Sequence, residues 1–160
     1  MLEEITDKNK KFHSRWSDAH EPKPSRSPVE GVDMLREGKG SNFVTVKEQL
    51  YDRLQADYGN QASFIETGKR WVPEPPTMED VELRYPDANQ KVRDNIYGNK
   101  IGLYEKTLDR LEQNYSRIYG IIKQILENSV KDKVQRSAGF ADAKTDSDPV
   151  LLWKIVTHVI

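Results

Sequence analysis

Three histidines, His13, His20 and His158, are the first candidates for metal binding or proton transfer. They share no metal-ligand spacing with one another, or with acids on a common face. Gly38-Lys39-Gly40-Ser41 echoes part of a phosphate-cradling loop, but it lacks that loop's first glycine at the required spacing. No serine sits in a nucleophile-elbow pattern. The sequence contains no cysteine, which removes disulfides, thiol catalysis and Cys-based zinc sites. Its aspartates and glutamates are scattered as solvated helix faces require. No residue is therefore assigned a catalytic, cofactor-binding or metal-ligating role. An enzyme reading would need a pocket with perturbed acids that assembles only in the fold, and no motif announces one.

The bulk composition points the same way. A chain of 160 residues is long enough for one ordinary domain with a core. With 36% apolar and 32% charged residues, that core is modest and the surface heavily solvated. The formal net charge is −1 with both signs mixed throughout, so no dominant phosphate-binding surface is called for. No apolar run approaches the roughly 20 residues that span a bilayer. Met1-Leu2-Glu3-Glu4-Ile5 lacks the order of a secretory signal. We expect a cytoplasmic location, with the nucleus as the other default, and no membrane partner.

Residues 1–40 are poor in apolar side chains and broken by Pro22, Pro24, Pro28, Gly31, Gly38 and Gly40. This composition predicts a flexible N-terminal arm, on which Phe12 and Trp16 stand ready to dock. Residues 41–160 read as helical. Thr45 and Glu48 have capping-box spacing, followed by Val46, Leu50, Leu54 and Tyr58 at steps of four and Gly59 as a stop. A short helix is expected over Gln61 to Thr67, before Gly68. Trp71-Val72-Pro73-Glu74-Pro75-Pro76 reads as an extended connector. Thr77 and Asp80 start another short helix that must end near Tyr85-Pro86.

Asp87 and Gln90 form a second capping pair ahead of the longest signal. Val92, Ile96, Leu103, Leu108, Leu111, Tyr115, Ile118, Ile122 and Ile125 fall three, four or seven apart, with one five-residue step. The stripe fits one bent helix or two, with Asn114 or Gly120 as the weak point. Ser129 is placed to cap a helix over Val130 to Arg136, and a loop is expected from Gly139 through Asp146. Asp148-Pro149 is a strong helix start. The helix that follows, through Ile160, is apolar nearly all round. It reaches Ile160 without a terminating signal, so we expect the protein to continue.

The order of these motifs carries a resemblance. Leu35-Arg36-Glu37-Gly38-Lys39-Gly40-Ser41-Asn42-Phe43 leads into the first helix. Ala62-Ser63-Phe64-Ile65-Glu66-Thr67-Gly68 and Val72-Pro73-Glu74-Pro75-Pro76 follow it. Then come Ile118-Tyr119-Gly120-Ile121-Ile122 and Asp148-Pro149-Val150-Leu151-Leu152-Trp153-Lys154-Ile155 with Thr157-His158. Over residues 35 to 160 this resembles the Gag-like protein, capsid region, of copia-type LTR retrotransposons. One departure is Lys123-Gln124-Ile125, where members of that family often carry an aromatic-Gly-Gln step.

The resemblance implies an all-α fold, a compact multi-helix bundle of capsid-like type behind the flexible arm. It implies a structural protein that self-assembles as a homo-oligomer into the lattice of a virus-like particle. RNA binding would belong to a downstream zinc knuckle that is absent from this segment. No cofactor is implied. Candidate packing or interface residues are Tyr97, Tyr104 and Tyr119, since tyrosine suits half-wet contacts, and Leu151, Trp153, Ile155 and Val156 of the last helix. The alternative reading is a helical adaptor that binds a partner protein through its N-terminal arm or its Pro-rich connector.

Overall fold

The computed structural model describes residues 27–160. Helix α1 (Phe43–Tyr58) buries Val46, Leu50 and Leu54, the residues that helical periodicity places on one face. It starts two residues before the expected capping box. Asn42 precedes it but does not cap it. The Asn42 amide instead clamps the incoming chain, accepting from the Arg36 N–H at 2.9 Å and donating to the Met34 carbonyl at 2.8 Å. Packing of Phe43 against Trp153, with ring centroids 5.9 Å apart, holds this end of the helix.

The segment preceding α1 departs from expectation. Residues 1–26 of the expected arm lie outside the described residues, but residues 27–40 belong to the folded unit. Val29, Val32 and Leu35 are buried in the core. Leu35 makes a one-residue parallel bridge, its N–H donating to the Ile125 carbonyl at 2.6 Å and its carbonyl accepting from the Glu127 N–H at 3.2 Å. Glu37 pairs with Lys133, and the Asp33 N–H donates to Gln49 Oε1 at 2.9 Å. Averaging over forty residues conceals three apolar side chains at three-residue intervals, which together offset the ordering of a short stretch.

After α1, a 3-10 turn (Gly59–Ser63) and one α-turn (Phe64–Thr67) bury Gln61, Ala62, Phe64 and Ile65. Gly68 closes this unit in the left-handed region at φ 69°, where a side chain would be strained. Helix α2 (Met78–Arg84) starts where expected, with Thr77 Oγ1 accepting from the Asp80 N–H. Helix α3 (Gln90–Ile125) is one unbroken 36-residue element, about 54 Å long at 1.5 Å per residue. Its cap is Asn89, whose Oδ1 accepts from the Val92 N–H at 2.9 Å, rather than Asp87. Neither Asn114 nor Gly120 interrupts it.

Helix α4 (Asn128–Arg136) begins after Glu127, one residue ahead of the expected Ser129 cap. The stretch read as a loop contains a further helix, α5 (Phe140–Asp146), which buries Ala143. Two turns carrying Phe140 and Ala143 among polar residues are too short to show a period. Helix α6 (Pro149–Val159) starts at its proline, with Asp148 Oδ1 accepting from the Val150 and Leu151 N–H groups. It packs against α3, α4, α5 and the Phe64–Thr67 turn. The architecture is all-α, and no helix among the described residues is long and apolar enough to cross a membrane.

The folded status of residues 27–40 is directly testable. Leu35→Ala should lower stability by about 2–5 kcal/mol in equilibrium urea unfolding, as for a core leucine. A change near zero would return this segment to the arm.

Candidate interaction surface

Between Ile65 and Tyr115 the described chain contributes one buried apolar residue, Val81. The connector, α2 and the first two-thirds of α3 therefore form a helical hairpin that leaves the core. Helix α3 joins the body only near Leu111, roughly 32 Å along its axis from Gln90.

A polar latch fixes the hairpin where it departs. The Tyr115 hydroxyl donates to the Trp71 carbonyl at 2.6 Å and accepts from the Trp71 N–H at 3.1 Å, so one side chain satisfies both backbone groups. The Arg70 guanidinium lies over the Tyr115 ring, 4.1 Å from its centroid, and pairs with Glu112. The Gln61 side chain is buried and donates to the Leu111 carbonyl at 3.0 Å, while Asn114 donates to Gln61 Oε1 at 3.0 Å. Higher up, the Tyr104 hydroxyl donates to the Pro73 carbonyl at 2.9 Å. The Arg93 guanidinium donates to the Tyr85 and Pro86 carbonyls. The proline-rich connector is thus bound along α3 at both Trp71 and Pro73.

Several large apolar side chains of this hairpin are exposed. Leu83 is 81% exposed, Leu103 65%, Val72 51% and Val92 42%. At about 100° per residue, Val92, Ile96 and Leu103 fall within roughly 40° of one another on α3. The five-residue step from Leu103 to Leu108 turns the stripe by about 140°. From Leu108 onward it faces inward, to Tyr115, Ile118, Ile122 and Ile125 in the core. The apparent single stripe is two stripes on two faces, one for the core and one left open to water.

The tyrosines and last-helix residues singled out from sequence divide accordingly. Tyr97 is half-buried on the hairpin, and Tyr104 is half-buried against the connector. Tyr119 is 6% exposed, with Lys123 over its ring and no hydrogen-bond partner for its hydroxyl among the described residues. Leu151 packs against the core, while Trp153, Ile155 and Val156 are within it. The structure thus separates Tyr97 and Tyr104 from Tyr119 and the α6 residues. His158 is exposed near the end of α6, the Gly38–Gly40 turn is exposed, and His13 and His20 lie outside the described residues. Among the described residues, no three His, Asp or Glu side chains gather where a metal ion could sit. Sequence reasoning missed the Tyr115 latch, because Tyr115 falls in register with aliphatic core positions and Gln61 and Arg70 bear no motif.

Burial pushes the Tyr115 hydroxyl above the ordinary tyrosine pKa, and the Arg70 charge opposes that shift. The neutral form is therefore favoured in the folded state. Its contribution is fully present below pH about 10 and is lost as pH rises through the raised pKa. Tyr115→Phe should cost about 1–3 kcal/mol at neutral pH by leaving both Trp71 backbone groups unpaired. The gap from wild type should narrow above pH about 10, where the wild-type unfolded chain ionises its tyrosine. Urea midpoints measured at both pH values check this, and a gap independent of pH would contradict it. Comparison with known protein families, characterised proteins and solved structures finds no match to this chain.

Proposed function

We propose that this chain is a capsid-like structural domain that assembles with copies of itself into the shell of a virus-like particle. The observation that carries this reading is the exposure of Val92 and Leu103 on one face of α3, with half-buried Ile96 between them and Val72 and Leu83 exposed on the same hairpin. Exposed apolar side chains collected on one projecting element mark an association surface rather than a core. Many weak copies of one contact, repeated by symmetry, build a lattice through avidity. Tyr97 and Tyr104, half-buried on the hairpin, supply contacts that tolerate both water and protein. A near-neutral charge suits a shell whose RNA is held by a separate segment. Between this reading and an adaptor that presents its connector to a partner, the backbone bonds at Trp71 and Pro73 favour the first, because they commit the connector to α3.

Light scattering and negative-stain microscopy across protein concentration test the proposal. The wild type should grow in mass with concentration and form rings, tubes or shells. Val92→Lys with Leu103→Lys should hold the protein monomeric at the same concentrations. The melting temperature should change by only a few degrees, since surface substitutions cost within about 0.5 kcal/mol. A wild type that stays monomeric at high concentration, or a double variant that assembles as well as wild type, would sink it.

A further inference from the structure

The flank of α1 beside the core carries a second feature, independent of the hairpin. Val44 and Tyr51 of α1 and Ile65 of the following turn line a cleft of about 530 Å³. Val44 is 69% exposed at its mouth. Glu48, Asp52 and Glu66 stand around it, opposed by Lys47. None of the three acids forms an ion pair among the described residues. The cleft is thus apolar inside with an acidic rim, and its size is within the range of pockets that enclose large side chains.

The chain itself contains a segment of matching chemistry. Lys8-Asn9-Lys10-Lys11-Phe12-His13-Ser14-Arg15-Trp16 has four cations, no acid and two aromatic rings spaced four apart. Acids lie on both sides of it, at Asp7 and Asp18, so the positive charge is concentrated in this block. Reach is sufficient. Residues 27–33 run along α1 beside Gln49 and Arg53, the face opposite the cleft. A helix with its side chains is about 10–12 Å thick, and the chain from Trp16 to Ser27 spans up to roughly 36 Å when extended.

We propose that residues 8–16 dock in the α1 cleft of their own chain. Phe12 and Trp16 enter the apolar interior, and the lysines and Arg15 meet Glu48, Asp52 and Glu66. Aromatic anchors supply the affinity in such contacts, and the charges select the partner and make binding salt-sensitive. The occupied cleft ties the N-terminal segment to α1, on a surface separate from the proposed assembly face. The two readings therefore fail separately.

The absence of native cysteine allows one nitroxide label on the full-length chain, at Ser14→Cys. Amide NMR signals of Val44, Glu48, Tyr51 and Ile65 should lose most of their intensity, while Val130 and Val134 on α4 keep theirs. High salt, or Glu48→Lys with Asp52→Lys, should restore the cleft signals without changing the rest of the spectrum. Isotope-labelled chains without nitroxide, mixed with spin-labelled chains without isotope, should show no broadening. Broadening that is uniform, that centres elsewhere, or that survives the charge reversal would overturn the proposal. Broadening of the cleft in the mixed sample would overturn docking within one chain and assign the cleft to a second copy.

Discussion

Helix α6 is apolar on nearly every side, and the body of the protein is arranged to keep water from it. Val150, Leu152, Trp153, Ile155 and Val156 are all buried. At about 1.5–3 kcal/mol each, their burial is on the order of 10 kcal/mol, an upper value because unfolded chains already hide some surface. That sum is comparable to the whole stability of a typical domain. It fixes the last three turns of α3, seats α4 and α5, and brings Phe43 of α1 onto Trp153. Leu35 then bridges to Leu126 beside the α3–α4 junction, which draws the segment before α1 into the same core.

The consequence for α3 is that one rigid rod serves two environments. Its C-terminal third is held by α6, so its N-terminal two-thirds must extend beyond the body. The Tyr115 hydroxyl and the Gln61 amide satisfy the backbone at the exit, where an unpaired N–H or carbonyl would be costly. Among the described residues, only α2 and the connector accompany the rod outward, and they bury Val81 alone among apolar residues. The exposure of Val92 and Leu103 follows from this geometry, since among the described residues a two-helix hairpin has too little material to cover both sides of α3.

Much of this was legible in the sequence where a residue's local chemistry acts by itself. Asp148-Pro149 marks the start of α6, and Thr77 the start of α2, because a cap depends on neighbours in the chain. The five-residue step at Leu103–Leu108 also recorded the change of face on α3, although periodicity alone merges the two stripes. Other features depend on distant partners and were hidden. Thr45 reads as the cap of α1, but the helix starts at Phe43 and the preceding Asn42 bonds Met34 and Arg36. Val29, Val32 and Leu35 look like part of a polar arm but face a core built a hundred residues later. Helix α5 packs on α6, a contact that its own two turns do not announce. Val92 and Leu103 fall in one sequence stripe with Ile118 and Ile122 of the core, and their exposure becomes visible only once α2 proves too short to cover them.

Helix α3 carries a core face and an open face, divided near Leu108, and the proposed assembly uses the open one. Hydrogen exchange of the α3 amides, followed across protein concentration, tests this most directly. Residues 115–125 should be strongly protected at every concentration. Residues 90–107 should be weakly protected in dilute solution, with protection rising as copies associate. Equal protection along α3, unchanged by concentration, would contradict it.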